Sequence, residues 1–222
     1  MVRWESSHTK TPSMEWRFSS EVRIHSLFPT PLFESYLHVE QNWIDKVVEL
    51  EYNHTGLNWI STNRNLWEVI PDLKSQIQIH VEHYARGILK VSDNVEIDLV
   101  RSWAVKHKPG DTAKQHCHTN AVWSGVYYLS VPKHSGDIVF DKGVSHQNCF
   151  LPTLEPDVNF FNDFTQRLWK FTPGSGTLLL FPSQLLHHVE KNESDMERYC
   201  IGFDVFIRGT FGTDYGSRVT IS

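Results

Sequence analysis

A mainly β domain is predicted by three features of the sequence: an antiparallel sandwich, jelly roll or barrel with helices laid on one sheet. Helical periodicity is confined to residues 42–92, and beyond residue 94 short β-prone runs alternate with Pro, Gly, Asn and Asp. No alternation of strands with helices supports a parallel sheet. The 222 residues, 40% of them hydrophobic, suffice for one well-cored domain.

Residues 1–20 are polar and aperiodic, mixing Arg3, Glu5, Lys10, Pro12 and Arg17 with Ser and Trp, and read as a loose tail without the apolar segment of a secretory signal. A single domain is expected over 21–222. Val22 to Leu32, with Phe28-Pro29-Thr30-Pro31, reads as an edge strand and a bend. From Asn42, a fair cap, Trp43, Ile44, Val47, Val48 and Tyr52 recur at helical spacing, predicting a helix that ends near Asn53 to Gly56. Pro71 and Asp72 open a second helix, carried by Leu73, Ile77, Val81, Tyr84 and Ile88 and closed by Gly87 and Ser92-Asp93. Strands are expected near 95–106, 122–131, 137–140, 176–182 and 198–208. The stretch from 142 to 172, rich in Pro, Asn and aromatic residues, is expected to be a long loop or lid.

Composition narrows the function. A net charge of −5 gives no basic field for a phosphate backbone, and no apolar run approaches the roughly 20 residues of a membrane span, so neither nucleic acid nor membrane is expected as a partner. Three scattered cysteines suit reduced thiols in a cytoplasm. A homodimer is the commonest assembly open to such a chain.

Thirteen histidines are the unusual feature. In extended chain, His116 and His118 point to one side and can converge on one metal ion, although two histidines at this spacing also occur on plain surfaces. His187-His188 follows the strand Gly176 to Pro182; if the segment is extended, only one of the two can face inward. In Arg198 to Val205, the odd positions Tyr199, Ile201, Phe203 and Val205 form a core face, while Arg198, Cys200, Gly202 and Asp204 form the other. That second face could line a cavity for an anion, with Arg198 gripping a carboxylate; a solvent-facing Arg198 paired with Glu197 or Asp204 is the alternative.

Taken in order, H-x-H, W-S-G-V-Y-Y-L-S-V-P-x-x-S-G-x-I-x-F, P-G-x-G-x-L-L-L-F-P-S-x-L-x-H-x-V and E-R-x-x-I-x-F, in His116 to Phe140, Pro173 to Val189 and Glu197 to Phe203, resemble the iron(II)- and 2-oxoglutarate-dependent oxygenases. Among these the sequence looks most like a phage and marine-bacterial family related to prolyl 4-hydroxylases. The likeness reaches back to Leu27-Phe28-Pro29-Thr30-Pro31 and Trp103. It implies a double-stranded β-helix, the cupin-like jelly roll, with helices on its outer sheet and an iron at its mouth. It further implies His116 as first ligand, His187 as distal ligand, and Arg198 on the far carboxylate of 2-oxoglutarate, with Tyr128 and Ser124 on the same strand as further contacts.

The superfamily usually carries H-x-D at the first pair, completing a facial triad of two histidines and one carboxylate. Here His118 stands in the third position. Three readings are open: His118 is the third ligand, a carboxylate such as Asp141 takes its place, or the site is degenerate. The expected reaction consumes dioxygen and 2-oxoglutarate, releases succinate and carbon dioxide, and hydroxylates a small-molecule or peptidyl substrate, with Trp123 and the loop after residue 142 excluding water. A non-catalytic metal- or ligand-binding jelly roll, and a three-histidine iron dioxygenase needing no 2-oxoglutarate, are the rivals.

Overall fold

Prolines set where the first strand begins. The structure, a computed structural model, describes residues 23–143, 157–212 and 216–222. The tail 1–20 and residues 144–156 of the expected lid lie outside the described residues. Residues 23–32 form no strand, since Pro29 and Pro31 lack the N–H a ladder needs; strand β1 is Phe33–Tyr36. Helix α1, Gln41–Val48, buries Trp43 and Val47 and stops well short of the predicted end. The residues beyond it form a hairpin, β2 (Tyr52–His54) on β3 (Trp59–Ser61), whose turn contains Gly56 at φ +96° and a Thr55 hydroxyl that donates to Asn58 Oδ1 at 2.7 Å. Apolar spacing alone could not separate the helix from the hairpin. Glu40, not Asn42, precedes the first turn, and no side chain caps it.

Helix α2, Pro71–Glu82, begins at its proline as predicted and buries Leu73, Ile77 and Val81; a π-helical turn, His83–Ile88, continues it and buries Tyr84. The remaining strands are β4 (Glu96–His107), β5 (Ala113–His116), β6 (Trp123–Ser130), β7 (Ile138–Asp141), β8 (Leu168–Phe171), β9 (Thr177–Pro182), β10 (Leu186–Val189), β11 (Arg198–Phe211) and β12 (Val219–Ile221). The expected loop 142–172 thus ends in a strand, β8, paired with β7.

Two antiparallel sheets result. The larger runs β1-β9-β6-β11-β4-β3-β2, with β12 added to β11, and the smaller runs β5-β10-β7-β8. The helices cover one face of the larger sheet: Trp43, Leu73, Ile77 and Tyr84 pack with Tyr127, Leu129, Ile201, Phe203 and Val205 in the main core. A smaller cluster, Tyr128, Ile138, Phe140, Leu179, Phe181 and Cys200, draws on both sheets and fills the space between them. This is the jelly roll with helices on its outer sheet that the sequence predicts. Gly125 sits under Phe203, where a Cβ would come within 2.2 Å of the ring, so that strand crossing leaves no room for a side chain.

Register decides what faces the interior. On β4, Ile97 and Leu99 belong to the helix-side core, yet further along it is Ala104 that belongs there. The parity changes because Val100 is an extra residue: Asp204 pairs with Arg101 and Val205 with Leu99. This bulge turns Arg101, Trp103, Val105 and His107 onto the same side as Arg198, Cys200, Gly202 and Asp204. Trp123 meets Tyr84 edge-on at 5.7 Å in the helix-side core, so the expected water-excluding role does not fall to it.

Candidate metal and cosubstrate site

Three histidines converge at the junction of the sheets. β5 ends in His116 and β10 carries His187, and these two are direct cross-strand partners. His118, two residues past His116, is tied down by its own N–H, which donates to Ser183 O at 2.9 Å. Ligand atoms of His116, His118 and His187 all lie within 4.8 Å of one another, and among the described residues this is the one group of three or more potential metal ligands. His187 is buried; His188 is half-buried on the other side of the strand and outside the group, as extended geometry requires.

The proton positions follow from the partners. His116 Nδ1 lies 2.9 Å from Lys114 O, and His187 Nδ1 lies 2.9 Å from Leu185 O. Carbonyls only accept, so each Nδ1 carries the hydrogen and each Nε2 keeps a free lone pair. His118 Nδ1 lies 2.7 Å from Asp204 Oδ1, and the same argument holds for this carboxylate. All three imidazoles therefore offer Nε2, the arrangement in which an outer partner orients a metal-binding ring. Burial, aided by its histidine neighbours, pushes the pKa of His187 down to about 3, and desolvation also lowers that of His116. The donor set fits a divalent first-row metal such as iron(II).

Asp204 is almost wholly enclosed. Besides His118, its Oδ1 accepts from Ser124 Oγ at 2.8 Å, and its Oδ2 faces Arg101 at 2.5 Å. Burial alone would raise its pKa, but the bonds from His118 and Ser124 and the charge of Arg101 outweigh this and lower it. Ser124 in turn receives a hydrogen bond from Ser183 at 2.9 Å, so it supports Asp204. Asp141 stands apart: Gln115 at 2.7 Å, the Gly143 amide at 2.8 Å and Arg167 occupy its carboxylate. Trp103, whose indole lies over side-chain-free Gly202, packs 5.5 Å from the His118 ring, and Phe181 sits 4.9 Å from His187.

Deeper on the same face lies Arg198. It is fully buried, and its Nη1 donates to Gly136 O at 2.7 Å and Ser135 O at 3.2 Å. Its guanidinium sits 4.9 Å over the Tyr128 ring. Glu197 is taken by the Tyr199 hydroxyl and Asp204 by its own partners, and among the described residues no carboxylate forms an ion pair with this guanidinium, although the charge of Asp137 reaches the adjacent Tyr128. The solvent-facing alternative is thereby set aside. Arg198 Nε, Tyr128 Oη, His107 Nδ1 and Ser135 Oγ are all buried without a well-aligned hydrogen bond. His107, the cross-strand partner of Arg198, accepts at Nε2 from Asn58 at 3.4 Å, which leaves its Nδ1–H unspent. Burial and the charge of Arg198 bring its pKa to about 3, so it stays neutral. Burial raises the pKa of Tyr128, so it remains a hydrogen-bond donor. A buried cation among unpaired donors fits a dicarboxylate such as 2-oxoglutarate, one end of which would satisfy them.

Of the residues singled out in the sequence, the structure brings His116, His118 and His187 together and sets Arg198 over Tyr128. Sequence reasoning missed His107 and gave Asp204 no part in the histidine group; the bulge at Val100, which brings Arg101 and His107 to this face, leaves no plain mark in the residue pattern.

A jelly roll whose rim gathers three imidazoles and whose interior holds a buried guanidinium is suited to a metal ion and an oxo acid. Residues 101–204 match the family model described as "Putative 2OG-Fe(II) oxygenase", and this match supports an enzyme of the class that uses iron(II) and 2-oxoglutarate. Three solved structures share the fold. HygX from Streptomyces hygroscopicus, solved with nickel, 2-oxoglutarate and hygromycin B, is 12% identical, with a TM-score of 0.56 over 79% of this chain and 82% of that one. The 2-oxoglutarate-dependent carbocyclase SnoK from nogalamycin biosynthesis is 13% identical, with a TM-score of 0.55 over 82% of each chain. A 2OG-Fe(II) oxygenase family oxidoreductase from Burkholderia pseudomallei is 13% identical, with a TM-score of 0.52 over 73% of this chain and 75% of that one. No functionally curated protein matches the sequence. The matches give no support to a phage or marine-bacterial origin. No helix among the described residues is long and apolar enough to cross a membrane.

Proposed function

We propose that this oxygenase hydroxylates a small-molecule or peptidyl substrate, with His116, His118 and His187 holding iron(II) through Nε2 and Arg198 and Tyr128 binding the far carboxylate of 2-oxoglutarate. The observation that carries this reading is the presence, between the two sheets, of three imidazoles with free Nε2 and a buried guanidinium without an ion-paired carboxylate. That guanidinium also favours the reading over a three-histidine dioxygenase that uses no oxo acid. Asp141, committed to Gln115, Gly143 and Arg167, is left out of the ligand set, and Ser124 is assigned to Asp204 instead of the cosubstrate.

When bound, iron(II) and 2-oxoglutarate would supply, with dioxygen as oxidant, the oxidative decarboxylation in which one oxygen atom enters succinate and the other the hydroxylated substrate, with release of carbon dioxide. The chain's own part is positional. Arg198 and Tyr128 fix one end of the cosubstrate, and the free Nε2 atoms fix the metal. Trp103, Phe140 and Phe181 wall His118 and His187 with apolar surface and limit water on that side, while His116 is exposed at the rim. The domain is read as one unit over 21–222. The free thiols of Cys117 and Cys200 suit a reducing, cytoplasmic setting.

Incubating the full chain with iron(II), 2-oxoglutarate and dioxygen is the test. Succinate should form slowly in the absence of a primary substrate, and only with iron present. An iron-loaded protein that leaves 2-oxoglutarate intact would contradict the proposal.

A further inference from the structure

The usual triad brings the iron one anionic ligand, and here all three candidate ligands are neutral imidazoles. The missing charge stands one hydrogen bond further out. We propose that Asp204 acts as a positioning and charge-supplying residue, delivering through His118 the negative charge that an acidic ligand would otherwise bring to the metal. This rests on the three-histidine reading above.

The geometry carries the inference. His118 Nδ1–H donates to Asp204 Oδ1 at 2.7 Å, and the Asp204 side chain is 1% exposed, so water neither screens the carboxylate nor competes for the bond. The carboxylate is locked on both sides of that bond. Ser183 donates to Ser124 and Ser124 to Asp204, while Ser183 O accepts the backbone N–H of His118 itself. The loop therefore closes on the ligand it serves. The bulge at Val100 sets Arg101 opposite Asp204 and spends one residue of β4 to do so. Arg101 is the only cation in contact with this carboxylate among the described residues, and its side chain is 47% exposed, so its charge is far better screened by solvent than that of Asp204. An imidazole that donates to a buried carboxylate is a stronger σ-donor at its other nitrogen, and loss of such an outer partner commonly weakens metal binding about 10- to 100-fold. A purely structural Asp204–Arg101 pair would need neither the bond to His118 nor the serine relay.

The test is an anaerobic titration of the metal-free full chain with cobalt(II), read by its ligand-field absorbance, with melting of each metal-free protein as the fold control. Asp204→Asn keeps an oxygen that can accept from His118 and removes the charge, whereas Asp204→Ala removes both. Both variants should bind cobalt(II) about 10- to 100-fold more weakly and shift the ligand-field band. Arg101→Gln, at a half-exposed site, should bind it a few-fold more tightly, because the carboxylate is then uncompensated. An Asp204→Asn protein that binds like wild type would show that Asp204 only orients the ring, and would overturn the inference, as would weaker or unchanged binding in Arg101→Gln. His118→Ala separates this failure from a deeper one. If it binds cobalt(II) like wild type, His118 is not a ligand, and the three-histidine reading falls together with the role given to Asp204.

Discussion

Replacing His187 by alanine should lower iron(II) affinity by about two orders of magnitude, while His188→Ala should leave it within a few-fold of wild type. The pair is adjacent in sequence and differs only in which way the strand turns each ring: His187 opposes His116 across the ladder and is buried, whereas His188 opposes Val139 and lies outside the ligand group. Apparent binding free energies of structural metal sites, about 10–16 kcal/mol over four ligands, allot about 3 kcal/mol to each, which corresponds to about 100-fold in affinity. The measurement is the dissociation constant of iron(II) under anaerobic conditions. The His187→Ala protein also loses the bond to Leu185 O and the packing on Phe181, so melting of the metal-free form is needed to show that a folded protein has lost its metal. Equal losses in the two variants would place the ligand wrongly.

Arg198→Ala should raise the 2-oxoglutarate requirement by roughly two orders of magnitude and leave iron(II) affinity nearly unchanged. Truncating one partner of a buried, hydrogen-bonded charge pair costs about 2–5 kcal/mol in binding, and about 3 kcal/mol is about 100-fold. The split between the two affinities carries the argument, since Arg198 bonds Ser135 and Gly136 and stacks on Tyr128, and is not among the group formed by His116, His118 and His187. Tyr128→Phe should show a weaker form of the same pattern, because it removes one neutral donor and leaves the cation. If Arg198→Ala changes both affinities equally, or neither, the guanidinium serves the fold and not the cosubstrate.

Much of this site was legible in the chain because strand parity is a strict rule. Alternation in Arg198 to Val205 separated Tyr199, Ile201, Phe203 and Val205 from Arg198, Cys200, Gly202 and Asp204, and the first set does pack under the helices while Arg198 and Cys200 face the interior. The same rule selected one histidine of the 187–188 pair and joined His116 to His118. Interruptions of the rule hid the rest. The extra residue at Val100 shifts the face of everything after it on β4, so His107 could not be placed beside Arg198, nor Arg101 beside Asp204. Trp103 and Trp123 are equally aromatic in the sequence, and only pairing shows that the first neighbours His118 and the second neighbours Tyr84. The turn after α1 was misjudged because Tyr52 continues the apolar spacing of the helix, although hairpin bonds to Ser61 claim it. Short strands β5, β8 and β10 carry too few residues for periodicity, yet two of them hold histidines of the proposed metal site.

The most direct test of the account is an anaerobic absorbance titration of the metal-free protein, first with iron(II) and then with 2-oxoglutarate. A protein-bound iron chelated by the oxo acid should give a broad visible charge-transfer band that appears only when both are present and saturates at one equivalent of each. Iron that binds without producing the band, or a protein that binds no iron, would contradict the proposed joining of three histidines and Arg198 in one oxygenase centre.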